Sequence, residues 1–253
     1  MIAVKLSQLS VKQLHLPKMS SPSPPTSMTL VKSFKLSSGP LSVAKHGDMI
    51  FFGLSDGRIM QLNNRTDAQS IFAGMGKGIR ISGIHIDNSE IYILSEENGQ
   101  VNVYDLNLRH HIRSWRHQSS RGYYNQLRVL NDKVIIPSRT FPALIMYSLQ
   151  GKLLKEITVP GMTNDYKALA VYGDDSVILS DCGSDRVSRI NIESGEVMWA
   201  SKHVQGPEGI VCYKDGFVLV TNSNEDTRIW ILDIKVRVKG INGFLSLRSI
   251  IRL

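Results

Sequence analysis

The sequence predicts an all-β fold of the β-propeller class, built from four-stranded antiparallel blades. Two observations lead to this prediction. Short apolar runs rich in β-branched and aromatic residues alternate with turns of Gly, Asn and Asp, and the runs recur about every 43 residues. A helix would need apolar residues spaced about 3.6 positions apart over ten or more residues, and these runs lack that spacing. Five blades are recognisable.

The second strand is the clearest part of each repeat, and the other strands keep its period. Second strands are predicted at MIFFGL (49–54), IYILS (91–95), VIIPS (134–138), VILSD (177–181) and FVLVT (217–221). First strands are predicted at 41–45, 82–86, 126–130, 168–172 and 209–213, and third strands end at Leu62, Leu106, Leu149, Ile192 and Ile234. Outer strands are predicted at 70–73, 112–115, 154–159 and 196–200. Three kinds of run that keep one period over five copies disfavour an irregular sandwich or barrel.

The two ends of the chain differ from the repeats. Residues 1–28 are rich in Pro and Ser near their end and predict a disordered linker, residues 29–238 predict the propeller, and residues 239–253 predict a basic tail or partial sixth blade. SFKL (33–36) is a candidate clasp strand, and residues 235–238 are a candidate fourth strand for the fifth blade. Too few residues then remain for another blade, which predicts an incomplete six-bladed ring. A complete five-bladed propeller is the alternative.

Composition limits the class of protein. The chain has 253 residues, is 42% hydrophobic, and contains no apolar run of the roughly 18 residues that a membrane span needs. The N-terminus lacks a continuous apolar signal core, so we expect a cytoplasmic protein. The two cysteines form no CxxC pair, so we expect reduced thiols, no metal site and no cofactor.

Residues 1–35 and 235–253 each carry five Lys or Arg and no acid. The net charge of +8 therefore resides in the ends, which is a weak cue for nucleic acid, and we find no motif that reads DNA sequence.

One repeat resembles a known family. Pro207, Gly209 and Ile210 open a strand, and Arg228, Ile229 and Asp233 follow an Asn/Asp-rich turn; this pattern resembles the NHL repeat. A weaker copy contains ALAV (168–171), Asp185, Arg186, Val187 and Ile190. The region from about residue 30 to 234 looks like the C-terminal propeller of tripartite-motif (TRIM/NHL) proteins, and the GlyHis and TrpAsp dipeptides of WD repeats are missing.

The resemblance implies recognition rather than catalysis. Tripartite-motif proteins are ubiquitin ligases through an N-terminal RING, followed by a B-box and a coiled coil, and two cysteines cannot build those zinc sites. We therefore expect no ligase activity from this chain. In the ubiquitin pathway it would act as the part that recognises a substrate protein.

The candidate binding face consists of the loops that join fourth to first strands and second to third strands, because loops on a rigid scaffold often carry function. A segment from 109 to 128 interleaves Arg and His with Trp and Tyr, and neighbouring loops add further bases and aromatics. The candidate binding residues are Lys77, Arg80, Arg121, Tyr123, Tyr124, Arg139, Phe141, Tyr166, Arg186 and His203.

Three functions remain open at this point. A mixed-charge face with Tyr, Trp and Arg anchors suits a protein partner, which is the first prediction. The bases and tyrosines would also suit single-stranded RNA, although acidic residues in the other loops would repel its phosphates. A metal-dependent hydrolase or lyase is a remote alternative. Its candidate ligands are His85 on an inner strand and Asp181 and Asn222 at the ends of second strands, and no repeated inward set of histidines accompanies them.

Overall fold

The computed structural model describes residues 35–118, 126–138, 140–163, 165–213, 216–222, 228–233 and 246–252. Within them the protein is all-β, with twenty strands in five four-stranded antiparallel sheets and a single 3₁₀ turn at Cys182–Ser184. The predicted all-β propeller of four-stranded antiparallel blades is confirmed. Within the described residues it has five blades, as in the alternative, and not the incomplete six-bladed ring that the sequence predicts. Contacts divide the chain into two units, the first containing the described residues up to 140 together with 145–155, and the second containing 141–144 and the described residues from 156 onward.

The first unit contains the first two sheets and most of the third, each with strands in sequence order across the sheet. The first sheet comprises β1 (Pro40–His46), β2 (Met49–Leu54), β3 (Arg58–Asn63) and β4 (Gln69–Gly74). The second comprises β5 (Ile81–Asp87), β6 (Glu90–Ser95), β7 (Gln100–Asp105) and β8 (His111–Arg116). The third comprises β9 (Arg128–Leu130), β10 (Lys133–Pro137), β11 (Ala143–Ser148) and β12 (Leu153–Thr158).

The second unit contains the last two sheets. The fourth sheet comprises β13 (Tyr166–Tyr172), β14 (Ser176–Asp181), β15 (Arg186–Asn191) and β16 (Val197–Ser201). The fifth comprises β17 (Pro207–Tyr213), β18 (Phe217–Asn222), β19 (Arg228–Asp233) and β20 (Ser246–Arg252).

The fourth strand of the fifth sheet comes from a different segment than the sequence predicts. β20 pairs antiparallel with β19, with Ile251 opposite Ile229 and Ser246 opposite Asp233. The C-terminal segment thus completes the fifth blade instead of starting a sixth one. Residues 235–238 lie outside the described residues, and the described part of SFKL, Lys35 and Leu36, forms no strand. Sequence periodicity could not locate β20, because that segment lacks the turn residues that mark the other strands.

The second strands are largely apolar and buried, and within each unit neighbouring sheets cover one another. In the second sheet Ile93 of β6 pairs with Ile84 of β5 and with Asn102 of β7, and every residue from Ile91 to Ser95 is buried. In the first unit, one cluster of buried side chains joins the first and second sheets and another joins the second and third. In the second unit, Ile178, Val187 and Val218 belong to a cluster shared by the fourth and fifth sheets.

A recurring turn joins the third and fourth strands of the first four sheets. A side-chain oxygen of the residue that begins each turn accepts a hydrogen bond from the backbone N–H two positions further on; these residues are Asn63, Asp105, Ser148 and Asn191. Such side chains favour turns because they replace a backbone acceptor locally. Asp233 stands at the next position of this series in the sequence, and the turn that follows it lies outside the described residues.

Two of these turns contain a glycine that is tightly packed against the preceding sheet. A Cβ atom on Gly151 would lie 2.5 Å from Trp115 of β8, and one on Gly195 would lie 2.5 Å from Ile157 of β12. Both glycines have positive φ, +83° and +77°, where other residues are strained. In each case a bulky side chain of an outer strand covers the glycine of the next sheet.

A buried polar contact also links the second and third sheets within the first unit. His117 follows β8 and is fully buried, and its Nδ1 lies 3.0 Å from the hydroxyl of Tyr147 on β11. The same hydroxyl accepts a hydrogen bond of 3.1 Å from the Gln118 N–H. Burial lowers the pKa of His117 to about 4, against a smaller opposing effect of the Pro137 backbone. His117 is therefore neutral in the folded protein at neutral pH.

We expect Gly151→Ala to destabilise the protein by about 2–4 kcal/mol, because the new methyl group must displace Trp115 and the residue must keep a positive φ. Gly47 also has positive φ, but a Cβ atom added to it would have no neighbour within 4 Å, so Gly47→Ala is the matched control and should cost only about 1 kcal/mol. Urea unfolding of both variants measures the difference. Equal losses would show that the Trp115 contact contributes little.

We expect stability to fall as the pH falls from 6.5 towards 4. The pKa of His117 is lower in the folded than in the unfolded chain, so in this window the unfolded state binds a proton that the folded state does not. This difference lowers the free energy of unfolding by up to about 3 kcal/mol. His117→Gln should flatten the pH dependence of the free energy of unfolding between pH 4 and 6.5. The same replacement at exposed His46 serves as control, and an unchanged slope in His117→Gln would contradict this assignment.

Candidate functional site

Part of the predicted binding face lies outside the described residues. These are Arg121, Tyr123, Tyr124 and Arg139, which carry most of the basic and aromatic character on which the RNA alternative depends. Tyr166 begins β13 at the end of a loop, and its side chain is not described. The sequence predictions for these five residues stay predictions.

In the first unit, Arg80 has a structural role. Its Nε lies 2.9 Å from Oε2 of Glu96, whose side chain is only 4% exposed. The Arg80 backbone N–H donates to Glu97 at 2.7 Å, and its carbonyl accepts from the Glu96 N–H at 2.9 Å. These contacts fasten the loop before β5 to the turn after β6. Lys77, in the same loop, is exposed.

In the second unit, Phe141, Arg186 and His203 lie on loops that hydrogen bonds connect to one another. The Pro142 carbonyl, next to Phe141, accepts from the Val159 N–H at 3.2 Å. One residue further on, the Pro160 carbonyl accepts from Nη1 of Arg186 at 3.1 Å. We call residues 141–142, 160–161, 185–186 and 202–206 the linked-loop surface.

Asp185 connects the last loop to this surface. Its Oδ1 accepts a hydrogen bond of 2.7 Å from the Gly206 N–H, and its backbone is left-handed, with φ 50°. Asp is one of the few residues that adopt this conformation readily. The adjacent residue, Arg186, then points its guanidinium to the Pro160 carbonyl, so one turn holds both neighbouring loops.

Beneath this turn, a buried carboxylate anchors the loop before β13. Asp181 is 2% exposed and accepts hydrogen bonds from the Thr163 N–H, at 2.7 Å, and from the Thr163 hydroxyl. The Cys182 N–H donates to the Asp165 carbonyl at 2.9 Å. In the sequence, Asp181 is a candidate metal ligand and Asp185 belongs to the weaker NHL-like copy, and neither is predicted to join loops. Their role in joining loops depends on contacts about twenty residues apart in sequence, which no local pattern reveals.

The exposed part of the linked-loop surface combines three chemical characters. Phe141 is 38% exposed and presents an aromatic ring, while Pro160 and Gly161 are exposed beside it in the linked loops. Lys202 and His203 present basic groups, and Gln205 an amide. Because their backbones are fastened to one another, these groups can bind a partner with little loss of loop entropy.

The candidate metal ligand His85 lies in an unfavourable environment for a cation. It is partly buried on β5, and burial together with the positive charge of Arg128 lowers its pKa to about 3. The nearby guanidinium would repel a metal ion. Among the described residues, no group of three or more His, Cys, Asp or Glu is arranged to hold one.

No helix in the described part of the chain has the length and apolarity needed to span a bilayer. Cys182 and Cys212 are both free thiols.

Comparisons with known proteins show the fold. No protein-family model matches the chain, and no curated protein matches it. Solved structures do match: the β-propeller domain of Cps50 (Swd1) from Myceliophteria thermophila has a TM-score of 0.63 at 16% identity, covering 85% of this chain and 72% of that one. The WD40 β-propeller domain of Doa1 has a TM-score of 0.66 at 15% identity, covering 87% and 70%. The computationally designed Ika8 protein has a TM-score of 0.59 at 16% identity, covering 85% and 67%.

At these identities the matches establish architecture alone. The chain has a β-propeller fold, and its structural neighbours include the WD40 propeller domain of Doa1. The NHL resemblance of the sequence is a finer assignment, which these neighbours do not address.

We expect Asp185→Ala to loosen the linked-loop surface. The change removes the acceptor for the Gly206 N–H and places a less suitable residue at positive φ, so hydrogen exchange of the Gly206 amide should accelerate about fivefold or more. Asp185→Asn is the matched control, because it retains an acceptor oxygen and tolerates the left-handed backbone. Equal exchange in the three proteins would show that this bond does not hold the loop.

Proposed function

We propose that the chain is a non-catalytic protein-interaction module that recognises a protein partner through the linked-loop surface. The observation that carries this proposal is the fastening of four loops by hydrogen bonds around exposed Phe141, Lys202 and His203. An exposed aromatic ring with basic and amide groups around it is the composition from which interface anchors are built.

The propeller fold supports an interaction role, since the structural neighbours are propellers of a scaffold class. A rigid sheet framework fixes the ends of each loop, and the loops can then vary in sequence while the core stays the same. The proposal includes a cytoplasmic location, consistent with the two free thiols.

The finer part of the proposal is an NHL-like propeller that selects a substrate protein in a ubiquitin-ligase-related setting. It is supported by the sequence pattern at Pro207, Gly209, Arg228 and Asp233. Packing accounts for one of these residues independently, because a Cβ on Gly209 would lie 2.8 Å from Oγ1 of Thr221, which accepts the Gly209 N–H at 2.9 Å. The NHL-like assignment therefore depends on the whole sequence pattern and not on Gly209 alone.

We expect Phe141→Ala to weaken partner binding about tenfold or more, because truncating a central aromatic anchor costs upward of about 1.4 kcal/mol. Met198→Ala is the matched control, since Met198 is 40% exposed but lies on the outer strand β16. Partners are identified by quantitative capture from cell extract as proteins retained by the wild type and Met198→Ala but lost by Phe141→Ala. The affinity is then measured with the purified partner.

Two outcomes would contradict the proposal. If every captured protein behaves alike with the two variants, the linked-loop surface is not the binding site. If the wild type instead binds single-stranded RNA with an affinity that falls steeply with salt, and Arg121→Ala or Tyr123→Ala reduces it, the RNA alternative replaces the protein partner.

A further inference from the structure

The outer strand of the second sheet is an exposed edge with unusual side chains. β8 pairs with β7 on one side only, with Trp115 opposite Val101 and Ser114 opposite Asn102, and it ends the sheet. The backbone groups on its other side therefore face away from the sheet. Four of its six residues are exposed, including Ile112 at 38%. An edge of this kind can pair with an extended chain.

The edge carries a strongly basic set of side chains. We call residues 108–116, which are the end of the preceding turn and β8, the outer strip. It contains the bases Arg109, His110, His111, Arg113 and Arg116 and no acid. All of these except Arg113 are exposed, and Leu108, at 74%, is the most exposed large apolar side chain among the described residues.

The nearest acids are already used within the sheet. Glu90 forms hydrogen bonds with both terminal nitrogens of Arg113, at 2.8 and 2.5 Å, and with the Tyr92 hydroxyl at 2.6 Å. Oδ1 of Asp105 accepts from the N–H groups of Asn107 and Leu108, at 2.8 and 2.7 Å. Arg113 is thus neutralised internally. Among the described residues no carboxylate forms an ion pair with Arg109 or Arg116, so their charge faces solvent.

The other outer strands with described side chains differ from β8. β4 and β16 contain no charged residue, and β12 contains Lys155 next to Glu156. Exposed apolar residues occur on all of them, such as Ile71 on β4 and Met198 on β16. The combination of an apolar residue with uncompensated bases is specific to β8 within this set, and it selects for an acidic partner.

Occupants from the same protein do not fit this charge. Residues 1–35 and 235–253 each contain five Lys or Arg and no acid, so neither terminus would be attracted to the outer strip. A second copy pairing edge to edge through β8 would bring two basic strands together in any register, and like charges on adjacent strands are destabilising. The charge of the outer strip therefore favours an acidic segment, which neither of these occupants supplies.

We propose that the outer strip docks an acidic peptide segment of another protein, which adds to the second sheet as an extended fifth strand beside β8. Its carboxylates would pair with Arg109 and Arg116, and its apolar side chains would cover Ile112 and Leu108. This site is independent of the linked-loop surface, because it lies on the first unit and uses backbone pairing instead of loop side chains.

The test uses the full chain and a fluorescent peptide of alternating glutamate and valine. Fluorescence anisotropy at low salt should detect binding that weakens as salt is added. The double variant Arg109→Glu with Arg116→Glu should weaken binding about tenfold, since two attractive contacts become repulsive. The matched control, Lys35→Glu with Lys45→Glu, has the same change in net charge at exposed residues outside the outer strip and should bind like the wild type.

A second peptide separates strand pairing from simple charge attraction. The same sequence with alternate backbone amides N-methylated keeps its carboxylates but cannot complete the ladder, so it should bind much more weakly. Thermal unfolding of all variants checks that they remain folded. Equal binding by the two double variants, or equal binding of both peptides, would overturn the proposal. So would binding only of an oligothymidine strand or of phosphatidylserine vesicles, which would identify a nucleic acid or a lipid surface as the occupant.

Discussion

Within each unit, the burial of apolar side chains between neighbouring sheets is the constraint on which the rest of the structure depends. An isolated four-stranded sheet of this sequence would expose the apolar side chains of its central strands, and a small sheet with exposed apolar faces is only marginally stable. In the first unit, Tyr92 and Leu94 of β6 are buried because Val134 and Tyr147 of the third sheet cover them. In the second unit, Ile178 and Val218 belong to one cluster in the same way.

Fixing the sheets against one another also fixes the positions of their connections. The turns between third and fourth strands are closed by their own Asn, Asp or Ser, and at Gly151 and Gly195 the preceding sheet leaves no room for a side chain. At the opposite ends of these strands, Asp185 and Arg186 hold two neighbouring loops. Each loop therefore begins and ends on rigid backbone, which allows exposed residues such as Phe141 to keep a defined position without packing of their own.

The two proposed surfaces use this framework differently. The linked-loop surface presents side chains from several segments distant in sequence, so its specificity resides in the arrangement of Phe141, Lys202 and His203. The outer strip presents one continuous segment, whose backbone edge and charges both follow from the sequence of β8. A partner could occupy either surface without displacing any of the core contacts described above.

The sequence by itself determined the period and the first three strands of each blade, because alternation, turn residues and apolar content are local properties that recur in every repeat. It also indicated Phe141, Arg186 and His203 as loop residues. Only the tertiary structure decided that Arg80 is engaged with Glu96, that Asp185 joins two loops, and that β20 completes the fifth sheet. Each of these depends on pairing between residues distant in the chain, where a side chain's partner is selected by the packing of the sheets and not by its neighbours in sequence.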